Sequence, residues 1–251
     1  AKYLGTGTFA PYKVRNWSNN LGATEVPSGE YTPNYTGTMT IGYDGSLGTI
    51  TKLDDLLKPA FKGKVTINGD PQGSSAALNS IFMVNLALGG TLDDISPAVA
   101  WFKKLKQVGN FINVNPTEAT IASGQTPVVM DNGYIAAGIA KTFAKAGKTW
   151  KMFTPASLGS TYNSAISAWA PHPACARLWM EFTLGEEGAG IWAGGGATPT
   201  LWIWMVKTGR APAAGLAAIG KSKVAPLKAT SDQSTKARAY LKTAWPDAVG
   251  S

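Results

Sequence analysis

Between Lys62 and Gly90 the spacing of polar and apolar positions changes twice. Val65–Asn68 is a short β-branched run, Gly69–Gly73 is rich in turn residues, and Ala76 to Leu88 is almost continuously apolar, with Asn79 and Asn85 as its strongly polar members. This pattern predicts a strand, a loop and a buried helix, with Ser74 or Ser75 as the N-cap and Gly89 closing the helix. The same order returns further on. Pro127–Met130 reads as a buried strand, Asp131-Asn132-Gly133 as a turn, and Tyr134–Ala146 as an Ala-rich helix closed by Gly147. Before these units, residues 1–40 are rich in Gly, Thr, Asn and Pro and read as loops leading to a short strand at Met39–Tyr43, while Leu53–Leu57 forms a short helix stopped by Lys58-Pro59. Ser96 is the expected N-cap of a helix with Pro97 at its first position. In that helix Val99, Trp101, Phe102, Leu105 and Val108 make an apolar stripe opposite Lys103, Lys104 and Lys106. Thr117–Ser123 reads as a short helix, Trp150–Phe153 and Asn163–Ser167 as strands, Ala174–Leu184 as a helix opened by Pro173, and Ser234–Trp245 as a terminal helix.

Repeated strand, loop and helix units place the chain in the α/β class. In open α/β sheets ligands meet the loops at the carboxyl ends of strands, where helix starts present unpaired N–H groups. The polar residues expected there are Gln72, Gly73, Ser74 and Ser75 after one strand and Asp131, Asn132 and Tyr134 after the next, with Tyr162 and Asn163 near a crossover. Hydroxyls, amides, one carboxylate and helix starts suit binding without reaction. An ordinary capped turn with no ligand is the competing reading of the first loop.

Composition narrows the chemistry. With one cysteine, Cys175, and one histidine, His172, the chain can build neither an internal disulfide nor a Cys/His metal cluster, so no metal and no cofactor are expected. Cys175 reads as a small buried hydrophobe and His172 as an exposed residue ahead of its helix. No P-loop and no G-x-S-x-G elbow occurs, and Gly188–Ala193 fits G-x-G-x-x-A but follows a helix instead of a strand. The carboxylate pairs Asp54-Asp55 and Asp93-Asp94 fall in first turns of helices, so no catalytic residue is assigned. The net charge of +8 comes from scattered lysines with no interleaved aromatics, which argues against nucleic acid. No apolar run approaches the roughly 18 residues of a membrane span, and the first residues carry no charged-then-apolar leader, so a soluble chain, mature or trimmed, is expected.

Taken together, several segments resemble the extracytoplasmic solute-binding proteins of ABC importers, in the branch with iron-, thiamine-, polyamine- and phosphonate-binding members. The resemblance is carried by Ala10-Pro11-Tyr12-Lys13-Val14, Ile41-Gly42-Tyr43-Asp44, Leu56-Leu57-Lys58-Pro59 with Phe61-Lys62-Gly63-Lys64-Val65, and Gly69-Asp70-Pro71. It continues in Ala119–Gly124, Ala170-Pro171-His172-Pro173 with Ala176-Arg177-Leu178-Trp179, Glu187-Gly188, Gly195-Gly196-Ala197 and a closing Ala244-Trp245-Pro246. It implies a two-lobed periplasmic-binding fold of type 2, with solute in a cleft that closes by a hinge. The lobes are expected at 1–44 and 156–251 for lobe one and 45–155 for lobe two. The N-terminal part of lobe one, roughly 80 to 100 residues or one βαβαβ half, is expected to be missing from this chain. The resemblance further implies a non-catalytic, monomeric, periplasmic or otherwise extracytoplasmic receptor, anchored to a membrane if at all through that missing part, which hands a small solute to a membrane permease. Tyr162-Asn163 stands where iron-binding members carry two adjacent tyrosines, and Asn132 where many carry an aromatic. A solute with an anionic group is expected. Two competing functions are an enzyme on the same scaffold, told apart by turnover, and a basic module for nucleic acid or anionic surfaces, told apart by a steep salt dependence.

Overall fold

The computed structural model describes residues 3–221 and 227–250. Its strands are β1 (Phe9–Ala10), β2 (Thr32–Asp44), β3 (Val65–Ile67), β4 (Val128–Asn132), β5 (Trp150–Phe153), β6 (Gly159–Ser164), β7 (Ile166–Ser167) and β8 (Thr198–Pro199). Its α-helices are α1 (Ser75–Ala87), α2 (Ser96–Gln107), α3 (Glu118–Ala122), α4 (Gly133–Lys145), α5 (Pro173–Thr183), α6 (Glu186–Gly194), α7 (Trp202–Lys207), α8 (Ala213–Ile219) and α9 (Ser231–Val249). The chain divides into two units, Ala1–Gly37 with Thr161–Ala225 and Thr38–Ser160 with Pro226–Ser251.

The second unit is built on the sheet order β3-β4-β2-β5, parallel between β3 and β4 and antiparallel on to β2 and β5. Alternation along the strands sorts the side chains to two faces. Met39, Ile41, Tyr43, Val65, Ile67, Val128 and Met130 join the large core with α1, α2 and α9, while Val129 and Trp150 pack with Ile121, Ala136 and Phe143 in a smaller one. Helix α1 is buried from Ser80 to Asn85 because elements cover it on most sides. Its one fully buried amide is paid in hydrogen bonds: Asn85 Nδ2 donates to the carbonyls of Thr91 and Asp94, and Oδ1 accepts from Ala98 N–H. On α2, Trp101 and Phe102 are core and Lys103, Lys104 and Lys106 are exposed, as the stripe predicts, whereas Val108 at the last turn is exposed.

The terminal helix packs in this second unit. Trp245 stacks edge-on against Phe102 at 5.2 Å and Phe111 at 5.8 Å, so α9 closes the core of the 38–160 segment, whereas the sequence places it with 156–251. The units divide at Gly37/Thr38 and Ser160/Thr161, compared with the 44/45 and 155/156 read from the sequence.

In the first unit β1 pairs antiparallel with β7, and the first half of β2 pairs antiparallel with β8 through Tyr35 and Thr36. Two small cores form here. Val14 and Ile166 meet Met180 of α5 and Leu184 at its C-cap, and Ala189 and Ala193 of α6 meet Leu201, Trp202 and Met205. The outer side of α5 stays in water. Leu178 is 71% exposed and Trp179 64%, with Trp169 before the helix at 75% and Ile191 of α6 at 63%.

Several expectations are corrected. Cys175 is exposed, because α5 packs only along the stripe of Ala176, Met180 and Thr183 and Cys175 lies off it. Ser96 is the first helical residue of α2 and its N–H is held by Asp94 Oδ1, so the Asp93-Asp94 pair precedes the helix. Strand β4 runs straight through Asn132 into α4 with no intervening turn, and the Asn163–Ser167 strand is two strands, β6 and β7. Gly188–Ala193, already discounted as a dinucleotide motif because it follows a helix, lies within α6, where a Cβ at Gly188 would run into the Phe182 carbonyl, so its glycine serves helix packing.

Candidate functional site

The polar end of the second unit's sheet gathers where β3 and β4 stop. Asp131 is only 5% exposed, yet no cation pairs with it among the described residues. Three donors hold it instead: Asn68 Nδ2 at 2.7 Å to Oδ2, and Asn132 N–H at 2.7 Å and Nδ2 at 3.3 Å to Oδ1. Burial pushes its carboxyl above the usual carboxylate range, and these hydrogen bonds pull part of the way back. A carboxyl kept dry at a strand end, and satisfied by amides instead of a cation, can take one further donor.

From Asp131 the network runs to the start of α1. Ser74 Oγ donates to the Asn68 carbonyl at 2.8 Å and itself accepts from Ala77 N–H at 3.2 Å, which makes Ser74 the cap of α1. Its hydroxyl proton is therefore already engaged. The N–H groups of Ser75 and Ala76, in the first turn, have no partner within the helix and present its positive end. On the other side, Asn132 precedes α4 without capping it and accepts from Ser160 Oγ at 3.5 Å, a long bond. Two helix starts thus flank one buried carboxylate.

The other residues expected at the site are spread differently. Gly73 and Ser74 give their N–H groups to the Asp70 carbonyl at 3.0 and 2.6 Å, forming the tight turn ahead of α1. Gln72 and Ser75 meet Arg238 of α9, whose Nη1 donates to the Pro71 and Gln72 carbonyls at 3.0 and 2.7 Å and whose Nη2 reaches Ser75 Oγ at 3.3 Å. Tyr134 lies in the first turn of α4. Tyr162 and Asn163 belong to the first unit, where Tyr162 stacks on Tyr35 at 4.9 Å and Tyr35 on Trp192 at 4.4 Å, while Asn163 is exposed. Sequence reading missed the roles of Asn68 and Arg238. Asn68 was legible only as the last residue of a strand, and Arg238 acts across 163 to 167 positions, a separation no local pattern carries.

Among the described residues no group of three His, Cys, Asp or Glu side chains could hold a metal ion, and no helix is long and apolar enough to cross a membrane. His172 is exposed at the N-cap of α5. Residues 1–216 match the sequence profile described as bacterial extracellular solute-binding protein. The chain belongs to that family. As a bacterial extracellular solute-binding protein it is the substrate-binding component of a transport system and works outside the cytoplasm.

Solved structures carry the same fold. The chain is similar to the periplasmic binding protein P5PA, with 18% identity over 98% of this chain and 79% of that one and a TM-score of 0.66. It is also similar to AfuA from Actinobacillus pleuropneumoniae, a structure with exogenous fructose-6-phosphate bound, at 19% identity, coverages of 98% and 78% and a TM-score of 0.63. Iron-bound HitA from Pseudomonas aeruginosa follows at 17% identity, coverages of 97% and 78% and a TM-score of 0.61. No curated protein matches the chain. The α/β, two-lobed periplasmic-binding class implied by the sequence is therefore the fold of this solute-binding protein.

Proposed function

We propose that this solute-binding protein serves an ABC importer, delivering a small polar solute to a membrane permease as a non-catalytic monomer, and that its two units are the two lobes. The solute we infer carries an anionic group and at least one hydrogen-bond donor. The observation that carries this reading is the buried, cation-free Asp131 joined through Asn68 to the start of α1. An anion gains from the first-turn N–H groups of Ser75 and Ala76, with Ser74 and Gly73 shaping the turn, while a donor on the same molecule gains from Asp131, beside Asn132 and Tyr134. A bare anion at Asp131 is repelled and a bare cation at α1 meets the wrong end of the dipole, so a molecule with both features suits the pair. Fructose-6-phosphate, the ligand in the AfuA structure, combines a phosphate with hydroxyl donors. Ferric iron is disfavoured, since Tyr162 is followed by Asn163 and has a ring face committed to Tyr35.

Native mass spectrometry of the protein as purified identifies a retained solute. Calorimetry with fructose-6-phosphate, ferric citrate and spermidine then tests the class. Binding of the sugar phosphate with spermidine silent is the expected result. Spermidine binding with the sugar phosphate silent overturns the anion assignment, and conversion of the bound solute with time overturns the non-catalytic one.

A further inference from the structure

A guanidinium stands behind the α1 start. Arg238 lies in the first half of α9, in the same unit as α1, and reaches the loop that leads into that helix. Its Nη1 donates to the Pro71 and Gln72 carbonyls at 3.0 and 2.7 Å, and its Nη2 donates to Ser75 Oγ at 3.3 Å. Gly73 and Ser74 N–H hold the other side of the same turn, on the Asp70 carbonyl. Bonded from both sides, the turn delivers the chain into α1 in one conformation.

The charge of Arg238 is left without a counter-ion. All three of its partners are neutral oxygens, and no carboxylate pairs with it among the described residues. Asp70, the acid of that loop, accepts from Gln72 N–H at 2.9 Å through Oδ1 and forms no ion pair. Half-buried, the guanidinium gives up part of its hydration and gains no opposite charge in return. Its distance from the α1 start is short. Ser75 is the first residue of α1 and its hydroxyl is 3.3 Å from Nη2, so an anion accepting from Ser75 N–H lies within the roughly 8 to 10 Å over which a charge acts before salt screens it. Coulomb energy scales with the charge of the ligand, so a dianion gains about twice what a monoanion gains from the same guanidinium. The bracing of the turn, by contrast, serves both equally.

We propose that Arg238 selects the charge of the solute, favouring a doubly charged group such as a phosphate monoester over a singly charged sulfate or carboxylate. It acts through the field at the α1 start and is a specificity-determining residue of the same site. This rests on the anion assigned to that helix start.

The probes are fructose-6-phosphate and fructose-6-sulfate, measured by calorimetry at pH 7.5. There a phosphate monoester, with its second pKa at about 6, is mostly dianionic, while the sulfate ester carries one charge. Wild type should prefer the phosphate by at least about tenfold. Arg238→Gln, which keeps donors for the turn and removes the charge, should weaken the phosphate by about tenfold and the sulfate by about threefold, since doubling a free energy squares the fold-change. Arg238→Lys keeps the charge and gives up the planar fork, and it should hold the phosphate-to-sulfate ratio within about twofold of wild type, whatever it does to the two affinities. Equal losses for both esters in Arg238→Gln, or none, make Arg238 a brace alone and overturn the proposal. A ratio that falls in Arg238→Lys overturns it as well, even should Arg238→Gln fail to fold. A wild type that binds both esters alike overturns the charge selection and leaves the anion assignment standing, whereas one that binds neither overturns both.

Discussion

Replacing Asp131 with asparagine separates the stability of the second unit from its binding. The wild-type carboxylate is buried, and burial raises its pKa, so the ionised form weighs against the fold at neutral pH. Because the folded state holds its proton to higher pH than the unfolded chain, stability rises as pH falls through the raised value and levels off below the unfolded value near 4. Asparagine removes that charge and its pH slope. It also turns one acceptor oxygen into a donor, which faces Asn68 Nδ2 unless the Asn68 amide flips to present its own oxygen. One neutral hydrogen bond, about 0.5 to 1.5 kcal/mol, is therefore at stake against the relief of a buried charge. The expected balance is a variant within about 1 kcal/mol of wild type, or more stable, at pH 7. Binding moves the other way. Loss of a charge-assisted bond to the solute's donor should weaken affinity by about 1.5 to 3 kcal/mol, roughly tenfold to a hundredfold. In wild type, affinity should decline as pH falls through the raised pKa, since the neutral acid is the poorer acceptor. Thermal unfolding between pH 4 and 8 and calorimetry with the co-purified solute check both halves. A stable Asp131→Asn that binds within twofold of wild type refutes the reasoning and leaves Asp131 as an organiser of Asn68 and Asn132 alone.

Three further outcomes follow from packing. Trp245→Ala removes the ring wedged between Phe102 and Phe111 and should destabilise the protein by about 3 to 5 kcal/mol in urea unfolding, with α9 losing its anchor. Gly42→Ala places a Cβ 2.5 Å from Trp150 Nε1, so either the indole or the β2–β5 pairing must shift, at about 1 to 3 kcal/mol by the same measurement; an unchanged midpoint would show that the ring moves freely. Changing Lys103, Lys104 and Lys106 together to glutamine, on the wet side of α2, should leave the thermal midpoint and solute affinity within about twofold in equilibrium terms, and a tenfold loss of affinity would assign that helix a ligand role.

What the sequence disclosed and what it hid divide along physical lines. The β3, loop and α1 unit was legible because strand period, turn residues, cap and closing glycine agree over one short stretch, and β5 and the core stripe of α2 were legible for the same reason. Strand β2 was read as only Met39–Tyr43. Its first half, with Thr36-Gly37-Thr38, looks like a loop and is held extended by pairing with β8, about 160 residues away. Helix α8 was missed because Ala-Ala-Gly-Leu-Ala-Ala carries little periodicity. Its Gly215 is explained by Trp202, whose ring leaves no room for a Cβ. At the candidate site Asp131 and Ser74 were legible as polar residues at strand ends, but the amide that connects them and the guanidinium that clamps Gln72 come from contacts a linear pattern does not record.

The tryptophans outside and inside the cores give the molecule a built-in optical division. Trp169 and Trp179, both in the first unit, stand largely in water, while Trp101, Trp150 and Trp245, all in the second, are shielded. A water-borne collisional quencher such as acrylamide will darken the first pair, dim in part the half-buried Trp17, Trp192 and Trp204 of the first unit, and spare the second group, so raising the quencher shifts the residual emission toward the second unit and the buried Trp202. Denaturation followed with and without quencher then asks whether the units lose structure together. Coincident curves mean one cooperative transition, and displaced curves mean that a single unfolding free energy does not describe this chain.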